Sequence, residues 1–564
     1  MTDSFVIGVD FGTESGRVLL VDVKTGQEIA THVTPYDHGV MDDFLLDGTP
    51  LGKDWTLQDP SDYLQVLYQS IPEVLQTSAV RPEQIIGIGI DFTSSTVLPL
   101  DKEGQPLCFD PKWRVNPHSW VKLWKHHAAH EEADIFTRIA RETGEDFIKR
   151  YGGKISSEWL FPKLYQMLRE APEVFEATDL FIEACDWLTY QLTGDVSRSS
   201  NTCGYKAFWS HETGYPDPTF FRKVDPRLEG ILDTKMRGTV RPIGKKAGEL
   251  TNKMAQCFGL LPGTAVAVGI IDAHASVPAV GAVQPGQMVI ALGTSTCHML
   301  TTNQGKEIEG ICGLVKDGII PGYYSYETGQ VAVGDAFAWY VDHATPEYVT
   351  QEAKKKGKTT HELLEEKASI SQPGESGILA LDWWNGNRSV LVDANLTGMI
   401  VGLSIYTKPE EIYRALLEST AFGTRKIIEN FTEAGIEVNE IFATGGLPQR
   451  NQLLMQIYAD VTNREIKIAD SLQTTALGAA MYATVAAGKA NGGYDNLMEA
   501  AEHMSRVKEK SYVPIPENVE RYHEMYKLYL ELHDYFGRER KGIMHDLKNL
   551  SVNVGIKDKT TVKR

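Results

Sequence analysis

Cysteine is scarce in this chain: six among 564 residues, at positions 108, 185, 203, 257, 297 and 312. None forms a C-x-x-C pair, which argues against the usual zinc spacing and against a disulfide framework. No run of about 18 apolar residues occurs, so no membrane span is expected. No basic stretch followed by an apolar one opens the chain, so no secretory signal is read there. A reducing cytoplasm is the expected compartment. Positive charge is also short, with 56 Lys and Arg against 75 Asp and Glu and a net charge of −19. Such a surface repels a phosphate backbone, so nucleic acid is not expected as a partner. A small anionic ligand remains open, because a nest of backbone amides overrules global charge locally. Two nucleotide signatures are missing as well, the P-loop G-x-x-x-x-G-K-[ST] and the dinucleotide G-x-G-x-x-G.

What is present is an ordinary globular composition, 42% hydrophobic and 23% charged, in a chain too long for one core. FVIGVDFGTESGRVLLVD, residues 5–22, reads as a hairpin of β-branched strands around Asp10 and Gly12. Residues 85–100, IIGIGIDFTSSTVLPL, give a buried strand running into a polar loop. Residues 117–195 read as mostly helical, with Gly194 closing one helix. Residues 265–302 return to strands, 409–433 form an amphipathic helix, and 441–463 read as strand, Gly-rich turn and helix. Residues 516–538 are a Tyr-rich helix, open to packing on its own domain or on a second copy as a homodimer. The last twenty residues are polar and expected to fray. Strands alternating with helices indicate an α/β protein with mixed sheets.

The opening stretch has an echo. VDFGTESGRVLL and ALGTSTCHML both place Gly-Thr and a Ser between apolar runs. Gly12 and Gly293 lie 281 residues apart in 564, half the chain. Two similar domains, each presenting a Gly-Thr hairpin to a shared cleft, follow from that spacing. The expected division is 1–280, 281–545 and a polar tail, 546–564. A bland reading of each hairpin is a tight turn of Asp, Gly, Thr and Ser. The repetition favours an anion nest instead.

Paired Gly-Thr hairpins, a Gly-Gly turn and a duplicated α/β chain resemble the actin-like (ribonuclease H-like) ATPase fold. GIGIDFTSST, SSEWLFPKLYQML, GYKAFW, GTSTCHML, EGICGLVKDGIIPGYYSYETGQ and TGGLPQRNQLLMQIYADVTN resemble the FGGY carbohydrate kinases, over residues 5–545. The resemblance implies ATP and Mg²⁺ as co-substrate and cofactor, a small sugar as acceptor, and phosphorylation of a ketopentose. L-Ribulose is favoured; D-ribulose, xylulose or ribitol is the alternative, and an actin-like ATPase without a sugar the less favoured class. Many relatives that use glycerol or xylulose carry Gln or Arg in the loop that here reads Thr93-Ser94-Ser95-Thr96, and this departure favours the ribulose-type substrate.

Carried onto this sequence, the resemblance implies that Gly12, Thr13, Ser15, Arg17, Gly293, Thr294 and Ser295 hold the ATP phosphates. Gly445, Gly446 and Asn451 take adenosine. Asp10 orients the metal, and Asp272 is the catalytic base beside it. On residues alone, Asp272 also reads as a helix N-cap, and Gly445-Gly446 as a routine strand-to-helix loop. On the sugar side the resemblance implies Ser94, Thr96, Trp124, Lys206, Glu327 and Gln330, although Lys and Glu taken singly are expected at the surface. His126 and His130, four apart in LWKHHAAHEEADIF, have metal-like spacing but no third ligand; they read as exposed helix histidines.

Overall fold

The computed structural model describes residues 3–550. Two sheets built to one plan dominate it. The first runs in the order Glu28–Pro35, Ser15–Asp22, Phe5–Phe11, Ile85–Phe92, Ala265–Ala267, Lys246–Glu249, with Ile270–Ile271 also on Ile85–Phe92. The second runs Gly313–Lys316, Tyr324–Gln330, Thr296–Thr302, Gln287–Leu292, Glu440–Thr444, Ile466–Ile468. In each, a hairpin and a third antiparallel strand occupy one side and two parallel strands continue the other; the first sheet adds antiparallel Lys246–Glu249 beyond its parallel strands, and the second adds antiparallel Gly313–Lys316 at the opposite edge. The duplication read from Gly12 and Gly293 thus extends over five strands of each sheet. A five-stranded sheet of short strands, among them Val97–Leu100 and Leu180–Glu183, sits in the first half.

The two halves share a core. Helix Asp272–Ala279 and helix Thr474–Ala487 lie against each other, and side chains of both sheets pack around them, including Val6, Ala267, Val289 and Phe442. The contact is backbone-close. A Cβ on Gly478 would stand 1.7 Å from the Ala275 carbonyl oxygen. Cβ atoms on Gly8 and Gly89 would stand 1.9 and 2.0 Å from the carbonyls of Ala476 and Ala479. Glycine is required there because helix meets helix and sheet with no room for a side chain. A helix from late in the sequence therefore covers the sheet formed first.

The helix Pro409–Glu433 has the bounds read from its pattern, opened by Pro at the first turn. Gly194 ends its helix in the left-handed conformation, φ 77°. The Tyr-rich helix is Pro516–Asp534, and it packs on its own half. Tyr522, Tyr526 and Tyr529 are buried there, their hydroxyls donating to Glu418, Glu429 and Asp382 at 2.9, 2.6 and 2.8 Å. Of the expected frayed tail, residues 546–550 are helical, and 551–564 lie outside the described residues. The two histidines share no helix: His130 opens helix His130–Thr143, while His126 precedes it and is wholly buried. Its Nε2 meets Gln166 Oε1 at 2.9 Å, and Thr56 N–H donates to Nδ1. The expectation of two exposed helix histidines fails for His126 because a chain turn carries it inward.

Candidate active site

The two hairpin turns are held from behind by different devices. In the first, Gly12 N–H closes the turn on Ser15 O at 3.0 Å. Tyr36 OH donates to Gly12 O at 3.0 Å, Gln58 Nε2 to Thr13 O at 2.6 Å, and Trp124 Nε1 to Thr13 Oγ1 at 3.2 Å. Arg17 faces Asp10 across the hairpin and donates to Asp10 Oδ2 at 2.8 Å and to Ser15 Oγ at 3.3 Å. In the second, Gly293 N–H closes on Ser295 O at 2.9 Å, and the N–H groups of Val333, Gly334 and Asp335 donate to the carbonyls of Gly293 and Thr294. The backs of both turns are thereby satisfied. Gly293 and Thr294 are exposed on the front.

Gly445 follows strand Glu440–Thr444 with φ 99°, and a Cβ there would meet Leu292 O at 2.3 Å. Gly446 has nothing within 4 Å of a Cβ, so its face is open. Asn451 is committed elsewhere: its Oδ1 accepts from Leu454 N–H at 2.7 Å and caps helix Gln452–Thr462. The cap occupies Oδ1 and leaves the adenosine expectation to its amide nitrogen.

Asp272 is the first residue of its helix, with Ile271 at the cap position, so the N-cap reading does not hold. Its Oδ1 accepts only from the next residue, Ala273 N–H, at 2.6 Å. Burial and the neighbouring Asp10 charge push its carboxyl up to about 7. Asn201 steadies this corner: its Oδ1 accepts from Ile271 N–H at 3.0 Å. Asp91 completes a floor of carboxylates. It sits opposite Asp10 in the parallel register of Phe5–Phe11 and Ile85–Phe92. It is fully buried with both oxygens unpartnered, and burial followed by the Asp10 charge raises its pKa well above the usual range. Asp91 escaped the sequence reading, although a signal was there: Asp-Phe ends both strands, at 10–11 and 91–92.

Lys206 and Glu327 are buried, at 1% and 2% exposure, against the surface expectation for each alone. Lys206 Nζ donates to both Glu327 oxygens, at 2.7 and 3.0 Å. Arg388 Nη2 donates to Oε1 at 2.6 Å, and His274 Nε2 lies 3.0 Å from Oε2. Asn201 Nδ2 donates to His274 Nδ1 at 2.9 Å, which leaves the ring proton on Nε2. Burial would raise the Glu327 carboxyl, but Lys206, His274 and Arg388 hold it well below the usual range. The pair joins helix Ser200–Lys206 of the first half to strand Tyr324–Gln330 of the second. Arg388 lies in no patterned motif, and His274, two residues after Asp272, was passed over in favour of the carboxylate.

Two expected sugar residues have other partners. Gln330 donates to Asp382 Oδ2 at 2.8 Å and Thr420 O at 2.9 Å, and accepts from Thr424 at 2.9 Å. Its amide is used up inside the second half, and the sugar contact is set aside. Thr96 is fully buried, its hydroxyl 2.8 Å from that of Thr93, and is set aside likewise. Ser94 and Trp124 remain half-exposed.

Comparison with known proteins agrees with this layout. Residues 5–279 match the N-terminal domain, and residues 288–487 the C-terminal domain, of the FGGY family of carbohydrate kinases. A ribulokinase of Geobacillus thermodenitrificans is 58% identical over 550 residues, covering 97% of each chain. A ribulokinase of Halalkalibacterium halodurans is 57% identical over 551 residues, 98% of each. The crystal structure of xylulose kinase from Rhodospirillum rubrum superposes with TM-score 0.77 at 21% identity, over 96% of this chain and 100% of that one.

Proposed function

Because the chain belongs to the FGGY family of carbohydrate kinases, we propose that it phosphorylates L-ribulose with ATP, giving L-ribulose 5-phosphate in L-arabinose catabolism. The observation that carries the reading is Asp272: a carboxyl at the seam of the halves, raised to about 7, within electrostatic reach of Asp10, Glu327 and Lys206. The full-length likeness to two ribulokinases supports the choice of sugar. The six cysteines are all unpaired, which supports a reducing cytoplasm.

With the Gly12 and Gly293 N–H groups closing their turns, the N–H groups of Thr13, Thr294 and Ser295 receive the phosphates. Gly445 makes the turn, and the open face of Gly446 leaves room for the purine. Asp272 takes the proton from the C5 hydroxyl as that oxygen bonds to the γ-phosphorus; the bond from phosphorus to the β,γ-bridging oxygen breaks, and ADP leaves. Ser94, Trp124, Lys206 and Glu327 surround the sugar end. The residues fit a magnesium ion. No cage of three or more metal-binding side chains exists among the described residues, yet Mg²⁺ needs only one or two carboxylates besides phosphate oxygens and water. Asp10 and Asp272 would hold it, beside the unpartnered oxygens of Asp91, and it would neutralise phosphate charge.

The test is ADP release over L- and D-ribulose, L- and D-xylulose, ribitol and glycerol. L-Ribulose is expected to give the highest kcat/KM. Asp272→Asn keeps an oxygen for the Ala273 N–H and is expected to fold, with kcat lowered about 10²–10⁴-fold. Sugar-independent ADP release at the full rate, or a near-normal kcat in D272N, would reject the reading.

A further inference from the structure

This inference rests on the kinase reading above and concerns what holds its sugar side in place. Lys163 belongs to SSEWLFPK, a motif given no task so far. It lies on helix Leu160–Glu170, fully buried. Its Nζ donates to two main-chain carbonyls from distant parts of the sequence, Ser95 O at 2.7 Å and Leu123 O at 2.8 Å. Ser95 lies in the loop between Ser94 and Thr96 and takes φ 55°, a left-handed backbone that serine rarely adopts unless its surroundings impose it. Leu123 precedes Trp124, whose indole bonds the Thr13 hydroxyl on the nucleotide side. One amine therefore joins the loop carrying Ser94 to the segment carrying Trp124, while the first hairpin turn keeps its own holds from Tyr36 and Gln58.

A buried lysine without a direct carboxylate partner is costly, and an apolar residue would pack the same space more cheaply. Burial lowers this amine to about 7. Both its charged and neutral forms keep two N–H groups, so both carbonyl bonds persist through the titration. We infer that Lys163 is a positioning residue, fixing the Ser94 loop and Trp124 as one rigid wall of the sugar pocket without itself touching the substrate. Sugar affinity, more than nucleotide affinity, is what it sets.

Lys163→Met keeps the unbranched apolar stem and removes the terminal amine with both donors. With L-ribulose and ATP as probes, K163M is expected to raise KM for L-ribulose at least about tenfold, one factor of ten corresponding to about 1.4 kcal/mol, while KM for ATP stays within about twofold. A merely structural lysine would lower the melting temperature or the active fraction and leave both KM values in place. Should K163M fail to fold, Lys163→Gln, with two amide N–H donors on a shorter stem, is expected to show the same split in smaller measure. A folded variant with an unmoved KM for L-ribulose, or with both KM values raised together, overturns the inference. Wild type is assayed alongside: without L-ribulose-dependent ADP release there, the kinase reading fails and this inference with it.

Discussion

Glu327→Gln tests the charge cluster that ties the two halves together. In the wild type one buried carboxylate serves Lys206 at 2.7 and 3.0 Å, Arg388 at 2.6 Å and His274 at 3.0 Å. The substitution keeps the shape but leaves Lys206 and Arg388 without their counter-charge and turns an amide N–H₂ toward one of them. Removing one partner of a buried pair costs about 3–5 kcal/mol, and two stranded cations place E327Q at the upper end. Lys206→Met strands less, because Arg388 still neutralises Glu327, so a cost near about 3 kcal/mol is expected. At about 2–4 °C per kcal/mol for a unit of 150–250 residues, E327Q should melt on the order of 10 °C below wild type. K206M should fall between the two. The double variant should cost less than the sum, since removing Lys206 takes away one of the two cations that E327Q strands. Thermal unfolding followed by circular dichroism at pH 7 reads all three. An E327Q that melts within about 2 °C of wild type, or a K206M worse than E327Q, would refute the reasoning.

Glu183, buried at the end of strand Leu180–Glu183, is pushed up to about 8 by burial and by Asp186. The folded chain then holds a proton that the unfolded chain releases above about 4.3, so this group's contribution to stability falls as pH rises from there through about 8. Glu183→Gln should gain in melting temperature relative to wild type between pH 5 and 8; parallel curves would exclude the assignment. Gly478→Ala places a methyl 1.7 Å from Ala275 O and should abolish soluble folded protein, measured by expression and gel filtration. Gly446→Ala meets nothing within 4 Å and should fold normally while raising KM for ATP; an unchanged KM would remove Gly446 from the nucleotide side.

The hairpins were legible in the sequence because Gly-Thr interrupts β-branched runs twice at half-chain spacing, and a turn between such runs has few alternatives. Helix Pro409–Glu433 was legible because apolar residues at helical spacing begin just after a proline. The strands Val40–Met41, Leu57–Gln58 and Val121–Lys122 were not, since two residues carry no periodicity. The charge cluster was hidden for a different reason. Lys and Glu incline to the surface, and only a partner 121 residues away makes burial of Lys206 and Glu327 tolerable. Gln330 and Thr96 misled because a motif tells which residue types gather near a ligand, whereas the core competes for the same polar groups. Their hydroxyl and amide were taken by Thr93, Asp382 and Thr420.

The helix Thr474–Ala487 has a consequence for synthesis. A ribosome releases more than four-fifths of the chain before the segment that roofs the first sheet emerges. Until then Gly8, Gly87 and Gly89 line an uncovered apolar trough, a surface open to premature association and to chaperones. A chain stopped at residue 470 should accumulate as aggregate, and a soluble, monomeric product of that length would show that the early half can seal itself.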